Sequence, residues 1–290
     1  MCGAIAIERT DLAVVPLRGA DTLRYLHLVC SQHTERLRPG DTSAALLLSA
    51  KGKIEFAFRI AVLDDGETVL LDTEAEAAPA LAERLARFVF RYDVKVGDPQ
   101  PGVLTLLGPE TAAASLMREA APVAAHPLPG GLDLIGGDGT IPKVPEAPGV
   151  AVATAPLEAW ERHRIAAGLP RWGRELTDDV IAEEAGLLGS HVHLDKGCYP
   201  GQETVARVHN LGQVQRRLAG LRFKDPDAPP PAFRADLVSD DGRRAGQVRG
   251  AIHHPELGTI ALAYVRRVID PGRLVLAGDQ PATVVRLPFR

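Results

Sequence analysis

The chain has 290 residues, more than one compact core usually covers, and an apolar fraction of 46% supplies enough side chains for real cores. A formal net charge of -4 and a sequence pI of about 6.1 exclude a general nucleic-acid binder. The three cysteines, Cys2, Cys30 and Cys198, lie far apart and form no CxxC, which excludes a zinc ribbon, a thioredoxin-type pair and a disulfide framework.

In chain order, MCGAIAIERTD has neither a basic leading region nor a long apolar stretch, so no signal peptide is expected. No window holds the ~18 uninterrupted apolar residues of a membrane helix. Together with the cysteine usage this reads as a soluble, cytoplasmic protein without a membrane partner. AVVPLRGADTLRYLHLV reads as strand, Gly, helix, with Leu23, Leu26 and Val29 at helical spacing. GVLTLLGPETAAASLM repeats the plan: Leu17, Gly19 and Thr22 match Leu106, Gly108 and Thr111. In the second copy Pro109 suits a first helical turn. Two such units predict paired α+β lobes. Between them, SAALLLSAKGKIEFAFRIAVLDDGETVLLD alternates apolar runs with KGK and DDG turns, a β-hairpin series. Glu76 to Phe90 is read as a helix with Leu81, Leu85 and Phe88 on one face. Residues 121–150 are read as loop because of their Gly and Pro content. A helix is predicted from Leu157 to about Ala167, ended by Gly168-Leu169-Pro170.

After LRFKDPDAPPP, taken as a linker or bulging loop, the pattern changes to short strands and turns. AGQVRGAIHHPELGTIALAYVRR, RLVLAG and PATVVRLPF predict four or more strands in a small antiparallel barrel. The division expected is 1–214 as one module of two lobes and 215–290 as the β-barrel.

DKGCYPGQETVAR, residues 195 to 207, is the densest segment. Gly197 and Gly201 flank Cys198 and allow close approach to the main chain. Pro200 stands where a helix can begin, and GQETVARV continues as one. Cys198 would then precede a helix N-terminus, with Lys196 two residues away and His191 and His193 upstream. That is an electropositive, exposed niche of the kind that activates a thiol. Cys30 and Cys2 read as structural. A metal site from His191, His193 and Cys198, or a Cys–His hydrolase pair, are weaker alternatives. Upstream, Glu183-Glu184 precedes Ala185-Gly186-Leu187, a place where a carboxylate could hold a pterin ring or simply face solvent.

Lys196-Gly-Cys-Tyr-Pro-Gly-Gln-Glu203, followed by Ala206-Arg207, resembles the KGCYxGQE signature of the YgfZ family, which is related to the aminomethyltransferase T-protein of glycine cleavage. Leu17 to Leu26, Arg164-Ile-Ala-Ala-Gly-Leu-Pro170 and GTIALAYVRR resemble further family segments, so the likeness spans nearly the whole chain. The resemblance implies a T-protein-like α+β fold, two α+β lobes and a C-terminal antiparallel barrel around a central cavity. It implies tetrahydrofolate as ligand and a role in assembly or repair of iron–sulfur clusters in client proteins. On that basis Cys198 and Lys196 are the reactive pair. Glu184 holds the pterin, Arg207 meets the folate tail, and Tyr199 and Gln202 are further cofactor contacts. Where the T-protein carries an aspartate pair, this chain has Lys51-Gly-Lys-Ile-Glu-Phe56, with Glu55 the only carboxylate. Three readings follow: a folate-dependent iron–sulfur factor, an aminomethyl or methyl transferase using Glu55 as base, and a non-enzymatic scaffold.

Overall fold

The computed structural model describes every residue except Met1, Asp138 and Gln213, and the side chains of Cys2 and Leu211 also lie outside the described residues. The structural reading of Cys2 therefore falls outside them. The chain forms two compact units.

The first unit comprises residues up to 48, 56–159 and 190–200. Its elements begin with β1 (Cys2–Glu8), β2 (Leu12–Arg18), α1 (Thr22–Val29), β3 (Thr42–Leu48), β4 (Ile54–Val62), β5 (Thr68–Glu74), α2 (Ala78–Ala86) and β6 (Lys95–Val96). They continue with β7 (Val103–Leu107), α3 (Glu110–Ala120), β8 (Ala124–Leu128), β9 (Gly131–Ile135) and β10 (Val150–Thr154). Two five-stranded sheets result, in the orders β3-β4-β5-β2-β6 and β10-β1-β7-β9-β8. The predicted paired lobes are these sheets, each with its strand–Gly–helix unit. Both glycines are required by close approach. A Cβ on Gly19, at φ +133, would stand 2.0 Å from the Asp93 carbonyl oxygen, and one on Gly108 would stand 3.0 Å from that of Gly3. Pro109 occupies the N-cap of α3 rather than its first turn.

Alternation along the strands sorts the side chains. Ala13, Val15 and Leu17 join Phe58, Ile60 and Leu71 in a core covered by Tyr25, Leu26, Leu81 and Leu85 of α1 and α2. On the opposite face Leu12, Val14 and Leu70 pack against Val103 and Ile135 of the second sheet. Helix α2 stops at Ala86, and Phe88 is exposed instead of sharing the face of Leu81 and Leu85.

Residues 121–150 are not all loop, because β8 and β9 form a hairpin there. Its edge strand contains Pro127 and a polar His126, which hide the strand from a period-2 reading. The hairpin is tied in by charge. His126 and Asp133 are register partners. Asp133 accepts from Arg59 Nη1 at 2.7 Å, and Asp72 is bound by Arg59 and lies 2.9 Å from His126 Nε2. Burial opposes the Asp72 charge, but Arg59 and His126 outweigh it and hold the carboxyl well below its usual range.

The second unit comprises residues 49–55, 160–189 and 201–290. Helices α4 (Leu157–Ala167), α5 (Leu188–His191) and α6 (Gln202–Leu211) precede β11 (Arg216–Phe223), β12 (Asp236–Ser239), β13 (Arg244–His254), β14 (Gly258–Arg266), β15 (Leu274–Ala277) and β16 (Gln280–Val285). The six strands close into an antiparallel barrel in the order β11-β14-β13-β12-β15-β16. The expected barrel is there, with two additions. Leu221-Arg-Phe223 is strand rather than linker, and the short β12 carries too weak an alternation to be read from sequence. Alanines at 219, 245, 261, 263, 277 and 282 fill much of the interior, as a narrow barrel demands. Between Val248 and Gly250 the β13–β14 register shifts by one residue, and Arg249 is the extra residue of this bulge.

Candidate functional site

The Cys198 segment is held inside the first unit by the C-terminal end of α1. Helix ends leave carbonyls without intrahelical partners and carry partial negative charge. Lys196 reaches that end and is 4% exposed. Its Nζ donates to the carbonyls of His27, of Cys30 at 2.5 Å and of Gln32 at 3.1 Å. Three acceptors use all three N–H bonds of an ammonium. The Nζ also sits 4.8 Å from the centre of the buried Tyr199 ring. Burial lowers the Lys196 pKa, while neighbouring Cys30 and Glu35 act to raise it.

Ser31 adds two ties. Its hydroxyl donates to the His191 carbonyl at 2.6 Å, and its carbonyl accepts from the His193 N–H at 2.9 Å. The rings of His27, His33 and His193 pack in a row, tilted and then edge-on, with centres 4.4 and 5.2 Å apart. Among the described residues no group of three His, Cys, Asp or Glu is arranged to hold a metal ion.

Between these anchors the thiol stands free. Cys198 is exposed. A Cβ on the neighbouring Gly197 would meet only His27 Nε2, at 3.8 Å. Cys30 is fully buried, as expected of a structural thiol, and burial pushes its pKa up. The expectation that Lys196 holds a Cys198 thiolate is corrected here. The ammonium is committed to carbonyls, so Lys196 anchors the segment that displays the thiol. His191 donates no side-chain support to Cys198 either; its pKa is pushed down to about 4, by burial first and then by Arg59.

The second unit assembles a different cluster. Arg216, the first residue of β11, grips Glu184 side-on: Nε lies 3.1 Å from Oε1, and Nη2 lies 3.1 Å from Oε2. The Ile181 N–H also reaches Glu184 Oε2, at 3.3 Å. Arg216 further donates to the carboxylate of Asp179 at 3.1 Å and to its carbonyl at 2.7 Å. The bulge in β13 aims Arg249, 1% exposed, at the same Asp179 carboxylate, 2.9 Å away. Tyr264 lies under both guanidiniums, at 4.8 and 5.4 Å. Burial opposes the Asp179 charge, but the Thr177 hydroxyl and the two arginines outweigh it and hold the carboxyl well below its usual range.

The KGK turn completes this cluster. Lys53 Nζ donates to the Asp179 carbonyl at 2.9 Å. Gly52 lets α6 pack on the turn, because a Cβ there would come within 2.7 Å of the Thr204 side chain. Glu55, half-buried, is held through its carbonyl by Trp172 Nε1 at 2.8 Å. On α6, Gln202 is half-buried and Arg207 exposed.

Of the residues expected from sequence, Lys196 and Tyr199 meet beside Cys198, and Glu184 enters the ion cluster. Asp179, Arg216, Arg249 and Tyr264 were not anticipated. One signal was available: Arg249 is a charge in the middle of the apolar strand pattern AGQVRGAI.

No family model matches the chain. It is 36% identical to an aminomethyltransferase of Moorella thermoacetica over 47% of this chain and 37% of that one. It is 31% identical to the human mitochondrial iron–sulfur cluster assembly factor IBA57 over 74% of this chain and 61% of that one. The chain thus spans less than two thirds of the length of these two relatives. It is 28% identical to the tRNA-modifying protein YgfZ of Sodalis glossinidius over 84% of this chain and 80% of that one. The crystal structure of the glycine cleavage aminomethyltransferase T of Bartonella henselae superposes with a TM-score of 0.80 at 20% identity, covering 99% of this chain and 86% of that one. The fold is that of the T-protein, and in sequence the chain is similar to YgfZ-like proteins related to it.

Proposed function

We propose that this protein binds a tetrahydrofolate-class folate and supports assembly or repair of iron–sulfur clusters in client proteins. The observation that carries the reading is an exposed Cys198 thiol on a segment pinned by the buried Lys196 ammonium. An accessible, rigidly presented thiol suits transient contact with sulfur, iron or a client protein. The names of the relatives, one an iron–sulfur cluster assembly factor and one an aminomethyltransferase, point the same way. In this reading residues 1–214 form the folate module and 215–290 the barrel, which adds Arg216 and Arg249 to the folate site.

The second-unit cluster suits a pterin. The pyrimidine edge of a pterin presents N–H donors, which a carboxylate accepts. Glu184 has about four acceptor positions, and three are taken by Arg216 and Ile181. One at Oε1 is left for a ligand. Arg249 Nε is buried without a partner, a donor left over in the same cluster. Gln202 and Arg207 serve as further folate contacts, with Arg207 for the glutamate tail. When bound, the folate supplies one-carbon chemistry or a structural signal. The residues of this chain orient it and keep Asp179 ionised.

Titration calorimetry with tetrahydrofolate tests the ligand. Saturable binding that Glu184→Gln weakens about tenfold or more supports the assignment, and no heat of binding removes it. Activity of an iron–sulfur enzyme in cells tests the thiol. Cys198→Ala must lower it, and an unchanged activity ends that part of the reading. The identity to an aminomethyltransferase favours a second reading, aminomethyl transfer with Glu55 as base. It requires folate-dependent turnover of an aminomethyl donor that Glu55→Gln abolishes.

A further inference from the structure

A cavity of about 260 Å³ lies at the Arg18 end of β2, in the first unit. Strand alternation explains its lining. Ala13, Val15 and Leu17 point into the helix-covered core, so Val14, Pro16 and Arg18 take the other face. Val14 is partly covered there by Leu70, Val103 and Ile135. Pro16 and Arg18 run past that cover, and the space beyond them is the cavity.

Two cations stand side by side at its edge. Arg18 and Lys95 are direct partners in the β2–β6 ladder, and both line the cavity. Like charges directly opposite on neighbouring strands repel and destabilise a ladder. Among the described residues neither has a carboxylate at ion-pair distance. Asp65 feels the Arg18 charge, but its carboxylate is taken by the Thr68 N–H and hydroxyl, both at 2.7 Å. Asp98 is the one acid among the described lining residues. The floor is apolar, from Val14, Leu63 and Leu70, and the rim at Gly136, Gly137 and Gly139 is backbone.

An apolar floor below two exposed cations, with no carboxylate at ion-pair distance among the described residues, is complementary to one kind of ligand. We propose that this cavity binds a small amphiphilic oxyanion, its apolar body on Val14, Leu63 and Leu70 and its anionic group bridging Arg18 and Lys95. None of these residues belongs to the Cys198 segment or to the Glu184 cluster. The assignment therefore stands or falls independently of the folate and iron–sulfur reading.

Calorimetry on the full chain with 1-naphthyl phosphate is the test, with 1-naphthol and inorganic phosphate as controls lacking the charge and the body. The expected result is saturable one-to-one binding at least tenfold tighter than either control and weakened by added salt. Arg18→Ser and Lys95→Ser should each weaken it about tenfold. Each variant should also melt no lower than the parent protein without ligand, because removing one cation relieves the repulsion. Absence of saturable binding, or equal affinity in the double variant, overturns the proposal. A lowered melting temperature in both single variants does so too, since the cations would then serve the fold.

Discussion

The Cys198 segment and the Glu184 cluster both stabilise buried cations, and they do it in opposite ways. In the first, a single ammonium is satisfied by neutral carbonyls at a helix end, and no carboxylate among the described residues is bound to it. In the second, two guanidiniums and two carboxylates neutralise each other around Asp179 and Glu184. A cation solvated by dipoles needs no particular counter-ion, so the thiol nearby can be left bare. A cluster of paired ions is sensitive to the loss of any one member, but it can offer a ligand an acceptor of fixed charge and direction.

That contrast is broken most sharply at Asp179. Asp179→Ala leaves Arg249 buried with one anionic partner fewer, and should cost about 2–4 kcal/mol, toward the low side for breaking a buried pair because Asp179 opens to solvent. Arg249→Met should cost far less, since Asp179 keeps Arg216 and a hydrophobe of similar length refills the space. Urea unfolding of the two variants measures the asymmetry, and equal losses would show that the cluster is not organised around Asp179.

Lys196→Met removes the cation from three carbonyls and should cost about 1–3 kcal/mol. The loss should be local, so amide exchange should accelerate over residues 190–200 and at the end of α1 while the barrel amides keep their protection.

Acid supplies the next effect. The folded pKa of His191 is about 4, below its ordinary 6.5. Between those values the unfolded chain binds the extra proton, so stability is present in full above pH 6.5 and falls as the pH drops toward 4. His191→Asn should flatten this part of a stability–pH profile. The smallest effect belongs to the thiol. Cys198→Ser, at an exposed position, should change stability by less than about 0.5 kcal/mol, which lets any loss of cellular function be assigned to chemistry.

Legibility followed the same division. The strand–Gly–helix units at Gly19 and Gly108, the KGK and DDG hairpin turns and the stop at Gly168 are local signals, and they read correctly. The exposure of Cys198 was also legible, from the glycines and polar residues beside it. The hairpin of β8 and β9 was not, because His126 and Asp133 break its alternation for the sake of partners on another sheet. The role of Lys196 was misread for a similar reason. It lies two positions from Cys198 in sequence, but its bonds go to carbonyls 169, 166 and 164 positions away.

By itself the sequence determined the two strand–Gly–helix units, the hairpin turns between them, a C-terminal antiparallel barrel, and a thiol set in a glycine-rich turn. Those features depend on side-chain period and on backbone freedom within a few residues, which are written in consecutive letters. Only the tertiary structure decided which charges meet. Arg249 reaches Asp179 across 70 positions because a bulge in β13 turns it there, and Glu184 is gripped because β11 begins at Arg216. Ion partners are chosen by strand register and by the end of a helix, and neither is a property of any local stretch of chain.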